Sequence, residues 1–162
     1  MAKGTIIESV KDALAVASSI IESAQIETAW LLPPTMLVFA AQRRLTSKSK
    51  MLILNGGRVR GVFSISSPYV EVARSLLDIG EDVRHIDEYE GVFFLVGDKK
   101  QSISSLHVRT QDLSIDDQIV AFWSKDPNYA DYLLLNFKLA WTQGTEAEQR
   151  IRELQERGVQ EA

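Results

Sequence analysis

The chain has 162 residues, 45% of them hydrophobic and 25% charged, with a net charge of −4 at neutral pH. That size suits one domain with a sizeable core, and an acidic average disfavours a general nucleic-acid binder. The lack of cysteine excludes disulfides, thiolate nucleophiles and Cys-ligated metals, and two histidines weigh against a multi-histidine metal site.

No apolar run is long enough to span a bilayer, and nothing at the start reads as a signal peptide. A cytoplasmic location without membrane contact is therefore expected. Thr5-Ile6-Ile7-Glu8 reads as a capping box, and Ile7, Val10, Leu14, Ala17, Ile21 and Ala24 continue it at helical spacing. A strand over 26–32 is closed by Pro33-Pro34, which cannot continue a ladder. Thr35 is placed to cap a second helix that runs to Arg44. A third helix over 47–55 ends at Gly56-Gly57.

A strand over 58–66 alternates Val59, Gly61, Phe63 and Ile65 with Arg58, Arg60, Val62 and Ser64. Ser66-Ser67-Pro68 opens a helix that Gly80 ends, and 83–87 is the next strand. This strand–helix–strand unit predicts a right-handed parallel crossover. Residues 91–108 then predict a hairpin turning at Gly97-Asp98-Lys99-Lys100. A buried strand over 118–124 leads to Asp126-Pro127, which caps a helix to Thr142. That helix is apolar over much of its surface and is expected to be buried on more than one side.

Gly144 breaks the helix. The polar segment 145–162 has only a narrow seam of Ala147, Ile151 and Leu154, so it is expected to be a connector or dimer stub beyond a single domain over 1–144. The fold class is α/β: a mixed, mostly parallel sheet with an antiparallel hairpin and helices on both faces.

Element order and short strings carry a resemblance over 26–141. They are Arg58-Val59-Arg60-Gly61-Val62-Phe63-Ser64-Ile65, Asp82-Val83-Arg84-His85-Ile86-Asp87, an apolar strand into Gly97-Asp98-Lys99, and a late strand into Asp126-Pro127 with an aromatic helix. The chain resembles one half of the phospholipase D superfamily. It is especially similar to catalytically silent versions that serve as sensor or effector modules in prokaryotic, notably archaeal, transcription regulators and signalling proteins. The family's reactive motif is His-x-Lys-x-x-x-x-Asp, whose His attacks phosphorus while the Lys holds phosphate oxygens. With the motif's Asp on Asp98, its Lys falls on Phe93 and its His on Gly91. The downstream Gly-Ser pair falls near Ser104 and Ser105, about one residue out of register. Asp98 itself reads as a turn residue.

The resemblance implies a sensory or regulatory module, not an enzyme, that binds a small ligand or a regulatory protein partner, with no cofactor. Its candidate ligand residues are Ser66, His85, Asp98 and Ser105. Active members with a single motif pair two halves, so a homodimer is expected, with Leu135 and Trp141 at the interface. The alternatives are a hydrolase using His85, Asp98 or His107, and nucleic-acid contact through Arg43–Arg60. From Thr28 to Val70 there is no acidic residue but six basic ones: Arg43, Arg44, Lys48, Lys50, Arg58 and Arg60. Arg43, Arg44, Lys48 and Lys50 form a candidate basic patch, whose plainer reading is a solvated helix end. The acidic residues Asp78, Glu81, Asp82, Asp87, Glu88 and Glu90 match no calcium-loop spacing and read as a solvated surface. No phosphate-binding glycine motif is present.

Overall fold

The structure is a computed structural model that describes residues 4–89, 91–105, 114–115 and 117–161, with side chains through 158. In chain order it contains β1 (Gly4–Ser9), α1 (Val10–Ser23), β2 (Glu27–Leu31), α2 (Pro34–Gln42), α3 (Leu45–Leu54) and β3 (Arg58–Phe63). A 3-10 turn over Ser67–Tyr69 leads into α4 (Val70–Asp78) and β4 (Asp82–His85). Then come β5 (Phe93–Gly97), β6 (Gln101–Ser105), β7 (Gln118–Ser124), α5 (Pro127–Gln143), β8 (Thr145–Glu146) and α6 (Ala147–Glu161). Among the described residues the strands form one eight-stranded sheet in the order β1-β7-β6-β5-β2-β3-β4-β8.

The α/β class and mixed sheet follow the sequence expectation, but the balance of directions does not. Among the described residues β2–β3 and β3–β4 are the parallel pairs, and the other pairings are antiparallel. One crossover unit yields few parallel pairs, whereas the tight turn after Gly97 and the later meander add antiparallel neighbours. The segment 106–108 of the expected hairpin lies outside the described residues.

The first element also differs. Residues 4–9 are an edge strand with Thr5 opposite Trp123 and Ile6 opposite Phe122. The β-branched run favours that pairing over a helix start. The cap moves to Ser9, whose Oγ accepts from the Asp12 amide at 3.0 Å. The second helix begins at Pro34, with Pro33 rather than Thr35 at its N-cap. Proline suits the first helical position because that N–H has no intrahelical partner.

Trp30, Phe63, Leu95 and Ile103 face a core shared with α1, α2, α3 and α4. Leu31, Val62, Phe94 and Val96 face the other core, closed by Ala130, Leu133, Phe137 and Ala140 of α5. Gly61 lies opposite Trp30, and a Cβ there would run into the indole. Glycine is thus what lets the ring lie across β3.

Helix α5 buries one stripe, not several, and leaves Tyr132, Leu135 and Leu139 exposed. Helix α6 packs on the sheet through its seam: Ala147 and Ile151 are buried in the first core. β8 pairs with β4, and Arg150 Nε donates to the Ile65 carbonyl at 3.1 Å. No helix among the described residues is long and apolar enough to cross a membrane.

Candidate functional site

Because β2, β3 and β4 are parallel, their C-terminal ends reach the same edge of the sheet. An open groove of about 610 Å³ lies there, lined in part by Ser64, Ser66, His85, Asp87, Tyr89 and Arg150. This is where open α/β sheets present ligand sites, since the loops leaving the strand ends diverge there. A second groove of about 630 Å³ shares His85, Asp87, Tyr89 and Arg150 and continues along Asn136, Leu139 and Arg157.

His85 is buried at the groove floor. Its Nδ1 lies 2.9 Å from the Ile65 amide, which can only donate, so Nδ1 must accept. Nε2 then carries the proton and faces Asp87 Oδ1 at 3.1 Å. Burial pushes the imidazole pKa down, against the pull of Asp87, and the charge of Arg150 lowers it further. A neutral ring with its lone pair already used is a poor nucleophile and a poor base. It is well suited to holding the groove wall in shape. Ser64 Oγ assists by donating to the Asp87 carbonyl at 3.2 Å.

The two positions that the resemblance assigns to phosphodiester chemistry are filled differently. A Cβ at Gly91 would lie 2.6 Å from the Tyr89 hydroxyl, so Tyr89 occupies the space a side chain would need. That hydroxyl donates to the Val92 carbonyl at 3.1 Å, and burial raises its pKa. Phe93 is only 8% exposed and meets the Tyr89 ring edge-on, with centroids 5.4 Å apart.

The four candidate ligand residues do not converge. Ser66 and His85 line the same groove. Asp98 lies at the far end of β5, beside the start of β2. Its carboxylate accepts from the amides of Gln25, Ile26 and Glu27, each at 2.9 Å. Burial alone would raise its pKa, but these three donors together with Lys100 hold it below the ordinary carboxylate value. Asp98 and Lys99 both take left-handed backbone angles, φ 51° and 57°. Asp98 is therefore a turn residue that also anchors the α1–β2 loop. Ser105 is buried at the end of β6, its Oγ donating to the Val120 carbonyl at 3.3 Å. His107 lies outside the described residues.

The acid-free stretch is partly neutralised by acids from elsewhere. Lys48 pairs with Glu22 at 2.9 Å, Arg58 with Asp82 at 3.5 Å and Arg60 with Glu27 at 3.8 Å. Arg43, Arg44 and Lys50 are exposed, with no ion pair among the described residues. Among the described residues no cluster of acidic or histidine side chains is arranged to hold a metal. One member of the acidic group departs from a solvated surface: Glu81 is 4% exposed.

Leu135 is 63% exposed. Trp141 is held within the chain: it stacks on Phe137 at 5.6 Å and carries the Arg84 guanidinium 4.2 Å above its ring. Sequence reasoning did not select Tyr89, Glu81 or Arg150. The one available cue was the position of Arg150 beside Ile151 on the narrow seam.

No protein-family model matches the chain, and no characterised protein matches it in sequence. Solved structures do. TrmBL2, an archaeal chromatin protein whose structure shows a novel mode of DNA binding, superposes with a TM-score of 0.70 at 14% identity over 89% of this chain. The match covers 54% of that protein, so this chain spans about half its length. Nuc from Salmonella typhimurium, a phospholipase D family member, gives a TM-score of 0.67 at 13% identity over 88% of this chain and 97% of that one. NucT from Helicobacter pylori gives 0.67 at 13% over 89% and 98%. The fold is phospholipase D-like, as the sequence resemblance implied.

Proposed function

We propose that this chain is a non-catalytic sensory or regulatory module that binds a small ligand or a regulatory partner at the groove of Ser66, His85, Tyr89 and Arg150. The observation that carries this reading is the aromatic filling at 89–93. Where the motif needs a nucleophile and a cation, Tyr89 covers Gly91 and Phe93 is buried. A nucleophile and its phosphate clamp act as a unit, so losing both leaves background only. Purified protein should not hydrolyse a chromogenic phosphodiester or nick supercoiled plasmid. Turnover that co-elutes with the protein and disappears in His85→Asn would restore the hydrolase alternative.

The same reading includes a homodimer, supported by the exposed apolar stripe of Tyr132, Leu135 and Leu139 on α5. Light scattering behind size exclusion should give a dimer mass at micromolar protein, and Leu135→Asp should convert it to monomer. A monomer mass for the wild type would remove this part of the proposal. Nucleic-acid contact is a second reading. It is favoured by the exposed Arg43, Arg44 and Lys50 and by a fold neighbour that binds DNA.

A further inference from the structure

A second cavity, distinct from the strand-end groove, lies between the sheet and helices α1, α2 and α3, with a volume of about 90 Å³. Its walls are almost wholly apolar, including Leu14, Leu37, Ala40, Trp30 and Leu95. Glu81 is the one ionisable side chain among the described residues that line it. Glu81 is 4% exposed, and among the described residues its carboxyl accepts one side-chain hydrogen bond, on Oε1 from Trp30 Nε1 at 2.9 Å. No Lys, Arg or His forms an ion pair with it among the described residues. An apolar space of this kind suits water poorly, because a buried water needs two to four polar partners. A lone carboxyl there is costly to ionise unless a cation meets it.

We propose that this cavity binds a small alkylamine, about the size of ethylamine, whose ammonium pairs with Glu81. The alkyl body matches the aliphatic wall. The ammonium supplies the countercharge the chain omits, whereas an anionic ligand would face Glu81 unpaired. Size sets the upper bound: an apolar cavity of about 150 Å³ takes benzene, so this one takes a smaller body. Ala17, Met36, Thr46 and Ile119 of its lining are partly exposed.

The test follows the Trp30 indole N–H resonance during titration of the intact chain with ethylamine, and with ethanol as the uncharged isostere. Ethylamine should shift that resonance saturably and bind about tenfold or more tighter than ethanol, the factor expected for one charge-assisted contact. Glu81→Gln keeps an acceptor for the indole and should bring the amine down to the affinity of the alcohol. If that variant fails to fold, Ala40→Met, which fills the void and retains Glu81, should abolish the shift. Absence of a saturable shift, equal affinities for amine and alcohol, or unchanged amine binding in whichever variant folds would overturn the proposal.

Discussion

Two carboxylates stand where the parallel strands begin, and the fold treats them in opposite ways. Asp98, in the turn between β5 and β6, receives three backbone N–H donors. Its charge is favoured, and its pKa falls despite partial burial. Glu81, just before β4, receives one indole N–H, and burial dominates, pushing its pKa up to about 7. The difference lies in how many donors meet the charge and how much water remains to solvate it. Asp98 is a fixed anion that locks a loop. Glu81 is a group whose surroundings favour the neutral acid and supply no cation to hold its charge among the described residues.

Removing either carboxylate breaks the comparison, and the largest expected effect is a pH slope at Glu81. Its folded pKa lies above the ordinary 4.5. The unfolded chain therefore loses this proton first as pH rises. The stability it contributes is fully present below about 4.5, declines toward 7 and is flat beyond. The shift corresponds to roughly 3 kcal/mol. Urea denaturation from pH 4.5 to 7.5 should show the wild type losing that much stability relative to Glu81→Gln. His85 titrates with the opposite sign, because its lowered pKa removes stability as pH falls below about 6.5. Both proteins share that contribution, so it cancels in the difference. Parallel curves would mean that Glu81 is solvated.

Asp98→Ala should cost about 2 kcal/mol at neutral pH, because it leaves three amides without their charged acceptor at a site water can partly reach. Its depressed pKa means that the wild type holds this stability in full above the ordinary 3.8 and loses it as pH falls from there through the folded value. Urea midpoints for the two proteins check this, and a midpoint unchanged by the substitution would reduce Asp98 to an ordinary turn residue. The smallest effect is expected at the basic patch. Replacing Arg43, Arg44 and Lys50 with Ser should change stability by less than about 0.5 kcal/mol, as for solvated charges. Wild-type binding to duplex DNA that weakens steeply with salt and is lost in this variant would instead favour the nucleic-acid reading.

Most elements of the fold were legible because hydrophobic period, proline and glycine act over a few residues. The helix from Pro127, the Gly97-Asp98 turn and the strand of Arg58–Phe63 all rest on such local signals. The first strand was not legible in the same way. Thr5-Ile6-Ile7 satisfies a helix start locally, and only pairing with β7, more than a hundred residues later, makes it a strand. The groove was half legible: Ser66 and His85 were selected, while Tyr89 and Arg150 were not. Arg150 reaches the groove from the last helix, a juxtaposition that no spacing encodes.

The sequence by itself determined the α/β class, the phospholipase D-like resemblance and the absence of His and Lys at positions 91 and 93. These depend on residue identity and short-range order. Only the tertiary structure decided that Asp98 anchors a loop, that Ser66 and Asp98 stand at opposite ends of the sheet, and that one glutamate of an acidic run lies buried under Trp30. Burial and donor count are properties of the surroundings. For Glu81 those surroundings are built from α1, α2, α3 and the sheet, segments scattered along the chain that meet only when it folds.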